Sequence, residues 1–270
     1  MAYNRWCSPE SARFLYYENQ MTLKTRLKSR KPAIGSWITL AHPSIAEILA
    51  RAGFSWIGVD LEHSSITIRE AEELIRVIEL CGCAPLVRLT SNDSDQIKRV
   101  MDAGAHGIIV PMVNSREDAE RAVSAVRYPP KGTRGVALAR AQGYGNSFKE
   151  YKKWLTKEAV VIAMIEHVDG VGNAEEILSV DGIDGYFMGP YDLSASLGIA
   201  GKISDARVQR AMKKVKAIAK KLRKPGGLHV VEPNPADLKK RLREGYSFIA
   251  YSLDTRMLDV SSRAGLRQLR

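Results

Sequence analysis

Cysteine and long apolar segments are both scarce in this sequence. Only three cysteines occur, Cys7, Cys81 and Cys83, and the C-G-C spacing of the last two fits neither a CxxC redox motif nor a zinc knuckle. Free thiols in a reducing cytoplasm are therefore expected. No apolar run approaches the roughly 18–20 residues of a membrane-spanning helix, and residues 1–20 lack the apolar core of a secretory signal. With 45% hydrophobic and 26% charged residues, the composition predicts a soluble, cytoplasmic protein with one core.

Negative charge is also in short supply. The chain has 41 lysines and arginines against 30 aspartates and glutamates, a formal net charge of +11. The densest basic stretch, 210–224, carries apolar residues at helical spacing, so its lysines are predicted to form the solvated face of an amphipathic helix. No aromatic residue interrupts this stretch to stack on bases. Nucleic-acid binding is therefore not expected, and an attraction for small anionic substrates fits the same charge.

Short β-branched runs alternate with helical patterns along the chain. The runs are apolar throughout, as in parallel strands that are covered on both faces. Eight strands are predicted, at 33–40, 54–60, 84–89, 107–111, 160–166, 183–188, 227–231 and 247–253. Eight helices are predicted between and after them, at 44–52, 69–81, 93–103, 115–127, 169–179, 206–223, 235–244 and 254–270. Eight β–α pairs and the absence of GxGxxG after the first strand favour a single (β/α)8 TIM barrel over an open doubly wound sheet.

In such a barrel the chemistry lies at the carboxyl ends of the strands. Ionisable residues collect at these ends, while most of the remaining strand interiors have none. The residues concerned are Asp60, Glu62 and His63 after the second strand, Arg88 in the third, Glu166 and His167 after the fifth, Asp192 after the sixth and His229 in the seventh. The pattern predicts an active site at this face.

Glu166 and Asp192 are candidate metal ligands. They are 26 residues apart, about one β–α unit, so they should project from adjacent strands towards one point. Two carboxylates with positions left for water and substrate are how Mg2+ or Mn2+ is usually held. The alternative is a pair of surface carboxylates, one of which caps the helix that follows Gly189.

His63 and Arg88 are candidates for acid–base and anion-binding roles. Asp60 lies three residues before His63 in the turn leaving a strand, where it could orient the imidazole and raise its basicity. Arg88 stands in an otherwise apolar strand and needs an anionic partner, either a substrate carboxylate or an internal ion pair with Glu62 or Glu166. No lysine lies in any predicted strand. Its absence favours a metal over a Schiff base for carbonyl chemistry.

The sequence resembles the metal-dependent class II pyruvate aldolases of the HpcH/HpaI aldolase family. The resemblance rests on six motifs in order, at 46–63 (AEILARAGFSWIGVDLEH), 85–89 (PLVRL), 102–115 (DAGAHGIIVPMVNS), 128–141 (YPPKGTRGVALARA), 164–177 (MIEHVDGVGNAEEI) and 185–198 (GYFMGPYDLSASLG). It implies an N-terminal extension over 1–20 and an aldolase domain over 21–270. It also implies a homo-oligomer, a hexamer built as a trimer of dimers, with the last helix exchanged between subunits.

The resemblance assigns a role to each candidate residue. It implies that Glu166 and Asp192 bind a divalent cation, Mg2+ or Mn2+ with Co2+ as an alternative. It implies that His63 is the acid/base and that Asp60 orients it. Arg88 would contact the pyruvyl oxygens and stabilise the enolate.

The same resemblance implies that backbone amides around Gly189 and Tyr191 hold the pyruvate carboxylate at a helix start. Three positions depart from the family pattern. Met164 stands where several members have glutamine, Ser64 where glycine or alanine is common, and His42 where a small residue is usual. These departures leave the acceptor open.

The implied reaction is retro-aldol cleavage of a 2-keto-3-deoxy or 4-hydroxy-2-keto acid to pyruvate and an aldehyde, and the reverse condensation. Its small-molecule partners are then a 2-keto acid and an aldehyde, with neither a nucleic acid nor a membrane. Two alternatives remain. One is enolate-based C–C bond formation, as in a siderophore-pathway citrate synthase or a fungal synthase of the family. The other is a catalytically silent barrel that serves as a binding protein.

Overall fold

The computed structural model describes residues 21–267, in which eight parallel strands pair in sequence order and close into a barrel. Their bounds are β1 (Ala33–Ile38), β2 (Trp56–Asp60), β3 (Ala84–Arg88), β4 (Gly107–Val110), β5 (Val160–Ile165), β6 (Gly185–Met188), β7 (Gly226–Val230) and β8 (Phe248–Leu253). All eight predicted strands are confirmed, each within two residues at either end. The fold is a single (β/α)8 barrel, as predicted.

Twelve α-helices and one 3-10 helix, Arg140–Gly145, surround the described barrel. They are α1 (Leu23–Lys28), α2 (Pro43–Arg51), α3 (Ile68–Leu80), α4 (Ser94–Ala103), α5 (Arg116–Val126), α6 (Phe148–Glu158), α7 (Val168–Gly172), α8 (Ala174–Ser179), α9 (Pro190–Ser196), α10 (Ala206–Lys221), α11 (Pro235–Arg243) and α12 (Asp254–Arg267). The predicted helix over 169–179 is two helices that meet at Asn173, whose side-chain amide donates to the Asn114 carbonyl. The sequence patterns did not predict α1, α6 or the 3-10 helix, and α9 was expected only as a helix that follows Gly189, without bounds.

The barrel interior is filled by aromatic side chains. Trp56 stacks on Phe248 with ring centroids 4.5 Å apart, and Trp37 meets Trp56 edge-on at 5.6 Å. Gly35 makes room for this packing, because a Cβ there would lie 2.1 Å from the Trp56 ring. The strand positions between these residues face the helices and form the larger outer core. An interior this densely packed is a platform for a site at its end rather than a channel.

The basic helix α10 has the amphipathic form that its sequence predicts. Val208, Val215 and Ala219 are buried against the barrel, and most of its lysines are exposed. Cys81 and Cys83 are free thiols, as expected, whereas Cys7 and the predicted extension over 1–20 lie outside the described residues. Within residues 21–267, no helix combines the length and apolarity needed to cross a bilayer.

The last helix is tied to its own barrel at its start. The buried Asp254 accepts hydrogen bonds from the backbone amides of Thr39 and Leu40, both at 2.8 Å. Further along α12, Leu258 is 60% exposed and Leu266 is 64% exposed. The exchange of this helix between subunits stays a prediction.

Candidate active site

Arg88 is held by a carboxylate from the neighbouring strand. Asp60 and Arg88 are the last residues of β2 and β3 and lie side by side in the sheet register. Arg88 Nε donates to Asp60 Oδ1 at 2.9 Å and Nη2 donates to Oδ2 at 2.6 Å. This two-bond fork fixes both the position and the plane of the guanidinium.

The other side of the Arg88 guanidinium faces the site. Nη1 lies 3.4 Å from Glu62 Oε2, and the guanidinium carbon lies 4.6 Å from the centre of the Trp37 ring. The side chain is 13% exposed. Of the internal ion pairs left open by the sequence, the one with Glu62 is present, and Asp60 is the stronger partner that the sequence patterns did not indicate.

Asp60 also shapes the turn that carries His63. Its Oδ1 accepts the backbone amides of Glu62 and His63 at 3.1 and 3.2 Å. Ser64 Oγ donates to the Asp60 carbonyl and accepts from the Ile66 amide. The serine that departs from the family pattern therefore closes the turn.

The His63 imidazole extends away from Asp60. The side chain is 62% exposed, and its Nε2 lies 3.6 Å from Glu62 Oε2. The sequence predicted that Asp60 orients the imidazole directly. Instead, the short side chain of Asp60 accepts hydrogen bonds from Arg88 and from the amides of the turn. Asp60 thus orients His63 through the main chain, and the carboxylate beside the ring is that of Glu62.

Glu62 lies between His63 and Arg88. Its ion pair with Arg88 was one of the alternatives that the sequence left open, whereas its place beside the His63 ring was not predicted. Its Oε2 is buried and has no hydrogen-bond partner among the described residues. Burial raises the pKa of Glu62, an effect that the charge of Arg88 opposes. The sequence feature that could have indicated this role is the position of Glu62 between Asp60 and His63, in the turn that leaves the strand.

Glu166 follows β5 directly and is buried, with its Oε1 accepting the Met112 amide at 2.8 Å. Burial, the largest cause, and the charges of Glu62 and Asp192 together raise its pKa to about 7, against the opposing effects of the Met112 hydrogen bond and of Arg88. A Cβ at position 189 would lie 2.4 Å from Glu166 Oε2. Gly189 is therefore required for the carboxylate to occupy its place.

Asp192 lies in the first turn of α9, exposed and near enough to Glu166 and Glu62 to affect the pKa of each. Proline at the first position of α9 suits a helix start. The Gly189 amide already donates to the Ile165 carbonyl at 3.3 Å, and the Tyr191 side chain is 54% exposed. Of the two amides proposed to hold a carboxylate, that of Gly189 is thus used by the barrel.

The two other departures from the family pattern lie in different surroundings. Met164 is buried in the barrel interior among the aromatic side chains. His42 caps the start of α2, where its Nδ1 accepts the Ser44 amide at 3.2 Å. His42 is exposed in the loop after β1, at the same end of the barrel as the candidate site.

His229 is half-buried in the barrel, close enough to Arg88 and Asp60 to interact with both electrostatically. Its Nε2 lies 3.1 Å from the Ser252 carbonyl, and its ring meets Trp37 edge-on. Because a carbonyl can only accept, Nε2 of this imidazole carries a proton. Burial lowers the pKa of His229 to about 4, which keeps it neutral.

The carboxylates of the site can supply part of the coordination of a metal cation, with water or substrate as its other ligands. No group of three or more His, Cys, Asp or Glu side chains within residues 21–267 is arranged to hold a metal. Glu166 and Asp192 are a pair of hard oxygen donors, which is compatible with a divalent ion that keeps water or substrate as its other ligands.

Known proteins are similar in sequence to this chain over nearly its whole length. The 4-hydroxy-2-oxo-heptane-1,7-dioate aldolase of Salmonella typhimurium is 39% identical over 243 residues, 89% of this chain and 91% of the relative. The 5-keto-4-deoxy-D-glucarate aldolase of Klebsiella pneumoniae is 36% identical, over 86% of this chain and 90% of the relative.

Solved structures share the fold. The crystal structure of the citrate synthase SbnG superposes with a TM-score of 0.81 at 29% identity, over 92% of this chain and 97% of that chain. A sequence model for HpcH/HpaI aldolase/citrate lyase matches residues 33–259, from the start of β1 into α12. The chain therefore belongs to the HpcH/HpaI aldolase/citrate lyase family.

Proposed function

We propose that the protein is a metal-dependent class II pyruvate aldolase. It would cleave a 4-hydroxy-2-keto acid to pyruvate and an aldehyde and catalyse the reverse condensation. The observation that carries the proposal is the gathering of four carboxylates at the carboxyl ends of the strands. Asp60 and Glu62 pair with Arg88, and Glu166 and Asp192 lie close enough to Glu62 to interact with it electrostatically. The sequence similarity to two aldolases of this type supports the same reaction.

The residues present fit a divalent cation. The pKa of Glu166 rises to about 7 because the carboxylate is buried beside two others, and Glu62 Oε2 is buried without a hydrogen bond. Such an excess of buried negative charge is stabilised by a positive ion. Glu166 and Asp192 would hold the ion, Mg2+ or Mn2+ being the expected metals and Co2+ an alternative. When bound, it would act as a Lewis acid towards the keto oxygen of the substrate.

Arg88 would stabilise the charge that develops on the keto oxygen as the C3–C4 bond breaks. The electron pair of that bond passes to C3 and gives the enolate of pyruvate, whose negative charge lies mainly on the oxygen. Asp60 fixes the guanidinium in advance, so little reorganisation is needed as the charge appears.

His63 would take the proton of the C4 hydroxyl in cleavage and return it in condensation. Its imidazole is exposed at the mouth of the site, where the aldehyde half of the substrate must lie. Glu62, 3.6 Å away, would stabilise the imidazolium that forms, and Asp60 would hold the turn in place. The amide of Tyr191, rather than that of Gly189, would reach the pyruvate carboxylate.

A second candidate function is use of the enolate for carbon–carbon bond formation with another carboxylated acceptor. The similarity to a citrate synthase favours it, because that chain is covered over 97% of its length. The two functions share the enolate half of the site and differ in the acceptor. Release of citrate from oxaloacetate and acetyl-CoA, in the absence of aldolase activity, would select the second function.

The test compares two variants with the wild type. In Asp192→Asn the shape of the side chain is kept and the charge is lost, so we expect much weaker Mn2+ binding and a kcat lower by about 10²–10³ or more. In His63→Ala we expect Mn2+ affinity to be nearly unchanged and kcat to fall by about 10²–10⁴. Pyruvate release from 4-hydroxy-2-oxo-heptane-1,7-dioate and 5-keto-4-deoxy-D-glucarate, coupled to lactate dehydrogenase, measures kcat, and titration calorimetry measures the metal.

Either of two results would contradict the mechanism. One is full activity of the wild type after EDTA treatment, and the other is Mn2+ binding to Asp192→Asn as tight as to the wild type.

A further inference from the structure

A second concave site lies at the opposite end of the barrel. It is a cavity of about 660 Å3 lined by α1, by the segment after α5, by the end of α6 and by the turns that lead into β6 and β7. The end of α6 and both turns lie just before strands, so the cavity opens on the amino-terminal face, away from Glu166 and Asp192. Its volume is in the range of sites that bind small molecules.

The lining of this cavity is strongly basic. Seven lysine and arginine side chains line it, against three aspartate and glutamate side chains. Two of the lysines have a structural role. Lys24 Nζ is buried, donates to the Ala159 carbonyl at 2.7 Å and pairs with Asp184 at 3.0 Å, and Lys224 Nζ donates to the Ile183 carbonyl. These two cations connect the turns that form the cavity wall.

The other five cations have no such role. They share a position on the cavity wall and the lack of a hydrogen bond or ion pair from the side chain to any described residue. They are Lys28, Arg127, Lys131, Lys157 and Arg223. Like charges gathered in a concave surface repel one another and concentrate the positive potential inside it.

The partial negative charges at helix carboxyl ends offset only part of this positive charge. The carboxyl ends of α5, α6 and α10 point towards the amino-terminal face, and each carries the equivalent of about half a negative charge. Together they offset about one and a half charges, whereas the side chains alone leave an excess of four cations. The cavity stays positive after the helix ends are counted.

The guanidinium of Arg127 lies against one wall of the cavity, in a position to bind an oxyanion. Gly182 has φ 104°, and a Cβ there would lie 2.6 Å from Val123 Cγ1 and 3.1 Å from Arg127 Nη2. The bare glycine thus lets the half-buried guanidinium lie along the turn before β6. A planar guanidinium with lysines on the facing segments matches the bidentate and point-charge contacts that a phosphate group takes.

We propose that this amino-terminal cavity is a binding site for a small phosphate-bearing anion. The ligand would be held by Arg127 and Lys131 from one side and by Lys28, Lys157 and Arg223 from the others. The candidate active site combines carboxylates with Arg88, whereas this cavity is lined mainly by cations, so the two faces of the barrel differ in the ligands that they suit. The site does not depend on the proposed aldolase activity.

Titration calorimetry of the full chain with pyrophosphate and with inorganic phosphate, in chloride buffers of constant ionic strength, tests the proposal. We expect saturable binding of pyrophosphate that is weakened at least about tenfold in Arg127→Gln/Lys131→Gln. The matched control is Lys213→Gln/Lys239→Gln, which removes the same charge from exposed lysines outside the cavity. It should bind pyrophosphate within about twofold of the wild type.

Circular dichroism and thermal unfolding of both double variants without ligand check that the fold is kept. Tricarballylate, a carboxylate polyanion, tests whether phosphate is preferred. The proposal is overturned if pyrophosphate does not saturate the wild type, if both double variants lose affinity equally, or if tricarballylate binds as tightly as pyrophosphate.

Discussion

At the residue scale, the guanidinium of Arg88 is fixed by its neighbours in the position from which it would stabilise the negative charge of the enolate. Two of its nitrogens are used by Asp60, one faces Glu62, and its flat face lies over Trp37. The cost of burying the cation is offset by these contacts, so the guanidinium is in place before substrate arrives. A point charge on a flexible stem cannot reproduce this arrangement.

Replacing Arg88 by lysine keeps the charge and removes the fork. We expect kcat/KM for pyruvate release to fall by about 10²–10³, because the enolate loses a fixed partner, while Mn2+ affinity changes little. Steady-state kinetics and metal titration measure the two effects. Unchanged kinetics in Arg88→Lys would remove Arg88 from the site.

The titration of His229 makes the free energy of unfolding depend on pH. Its pKa is about 4 in the folded protein because it is buried, against 6.5 for an ordinary histidine. The unfolded chain therefore binds the proton more readily, so the free energy of unfolding is greatest above pH 6.5 and falls as pH drops towards 4. This residue alone lowers the stability by roughly 2 kcal/mol between pH 7 and pH 5.

Urea unfolding of His229→Gln at pH 7 and pH 5 measures this contribution. The glutamine can still donate to the Ser252 carbonyl but does not titrate, so the loss of stability between the two pH values should shrink by about that amount. His42→Gln, which changes an exposed histidine, should keep the wild-type difference. An equal difference in His229→Gln and the wild type would disprove the assignment.

At the element scale, the site is built where strands end and the next segment begins. The turn after β2 carries His63, the residue after β5 is Glu166, and the first turn of α9 carries Asp192. These segments are close in space because parallel strands in a closed barrel end at one face. The contact between the end of β5 and the start of α9 depends on the absence of a side chain at Gly189.

Gly189→Ala tests that contact. The added methyl group would lie 2.4 Å from Glu166 Oε2 and 2.7 Å from its Cβ, so the carboxylate or α9 must shift. We expect weaker Mn2+ binding, a lower kcat and a stability loss of about 1–3 kcal/mol. Gly172→Ala is the control, since nothing lies within 4 Å of a Cβ there and neither metal affinity nor kcat should change. Wild-type metal affinity in Gly189→Ala would show that the contact is not required.

At the scale of the whole molecule, the two ends of the barrel differ in charge. The carboxyl face gathers acidic side chains around Arg88, and the amino face gathers cations around a cavity, although the chain as a whole is at +11. On the outside, α12 leaves large apolar side chains exposed beyond its anchored start. Exposed leucines on one helix mark a surface that a second subunit could cover.

Sedimentation velocity at micromolar concentration tests the expected homo-oligomer. The wild type should sediment as a species several times its 29.9 kDa chain mass, and Leu258→Lys/Leu266→Lys should shift it to smaller species because charge replaces buried apolar contact. Leu80→Lys changes a leucine that is 78% exposed on α3 and should leave the wild-type pattern. A single species near 30 kDa for the wild type would contradict the prediction.

The local pattern of residues determined most of the fold and the identity of the candidate ligands. Apolar runs of strand length with helical patterns between them predicted the eight strands, because burial on both faces leaves a signature in each segment by itself. The short helix α1 escaped prediction, since a helix of six residues has too few turns to show a period.

Only the tertiary structure decided which side chains meet. Glu62 faces both Arg88 and His63, Asp60 supports the turn through its backbone, and Lys28, Arg127 and Arg223 share one cavity although long stretches of chain separate them. Sequence spacing determines which strand end a residue follows, because that depends on neighbours along the chain. Which atom of one side chain contacts another depends on the closure of the barrel and on rotamers, and no local pattern records either.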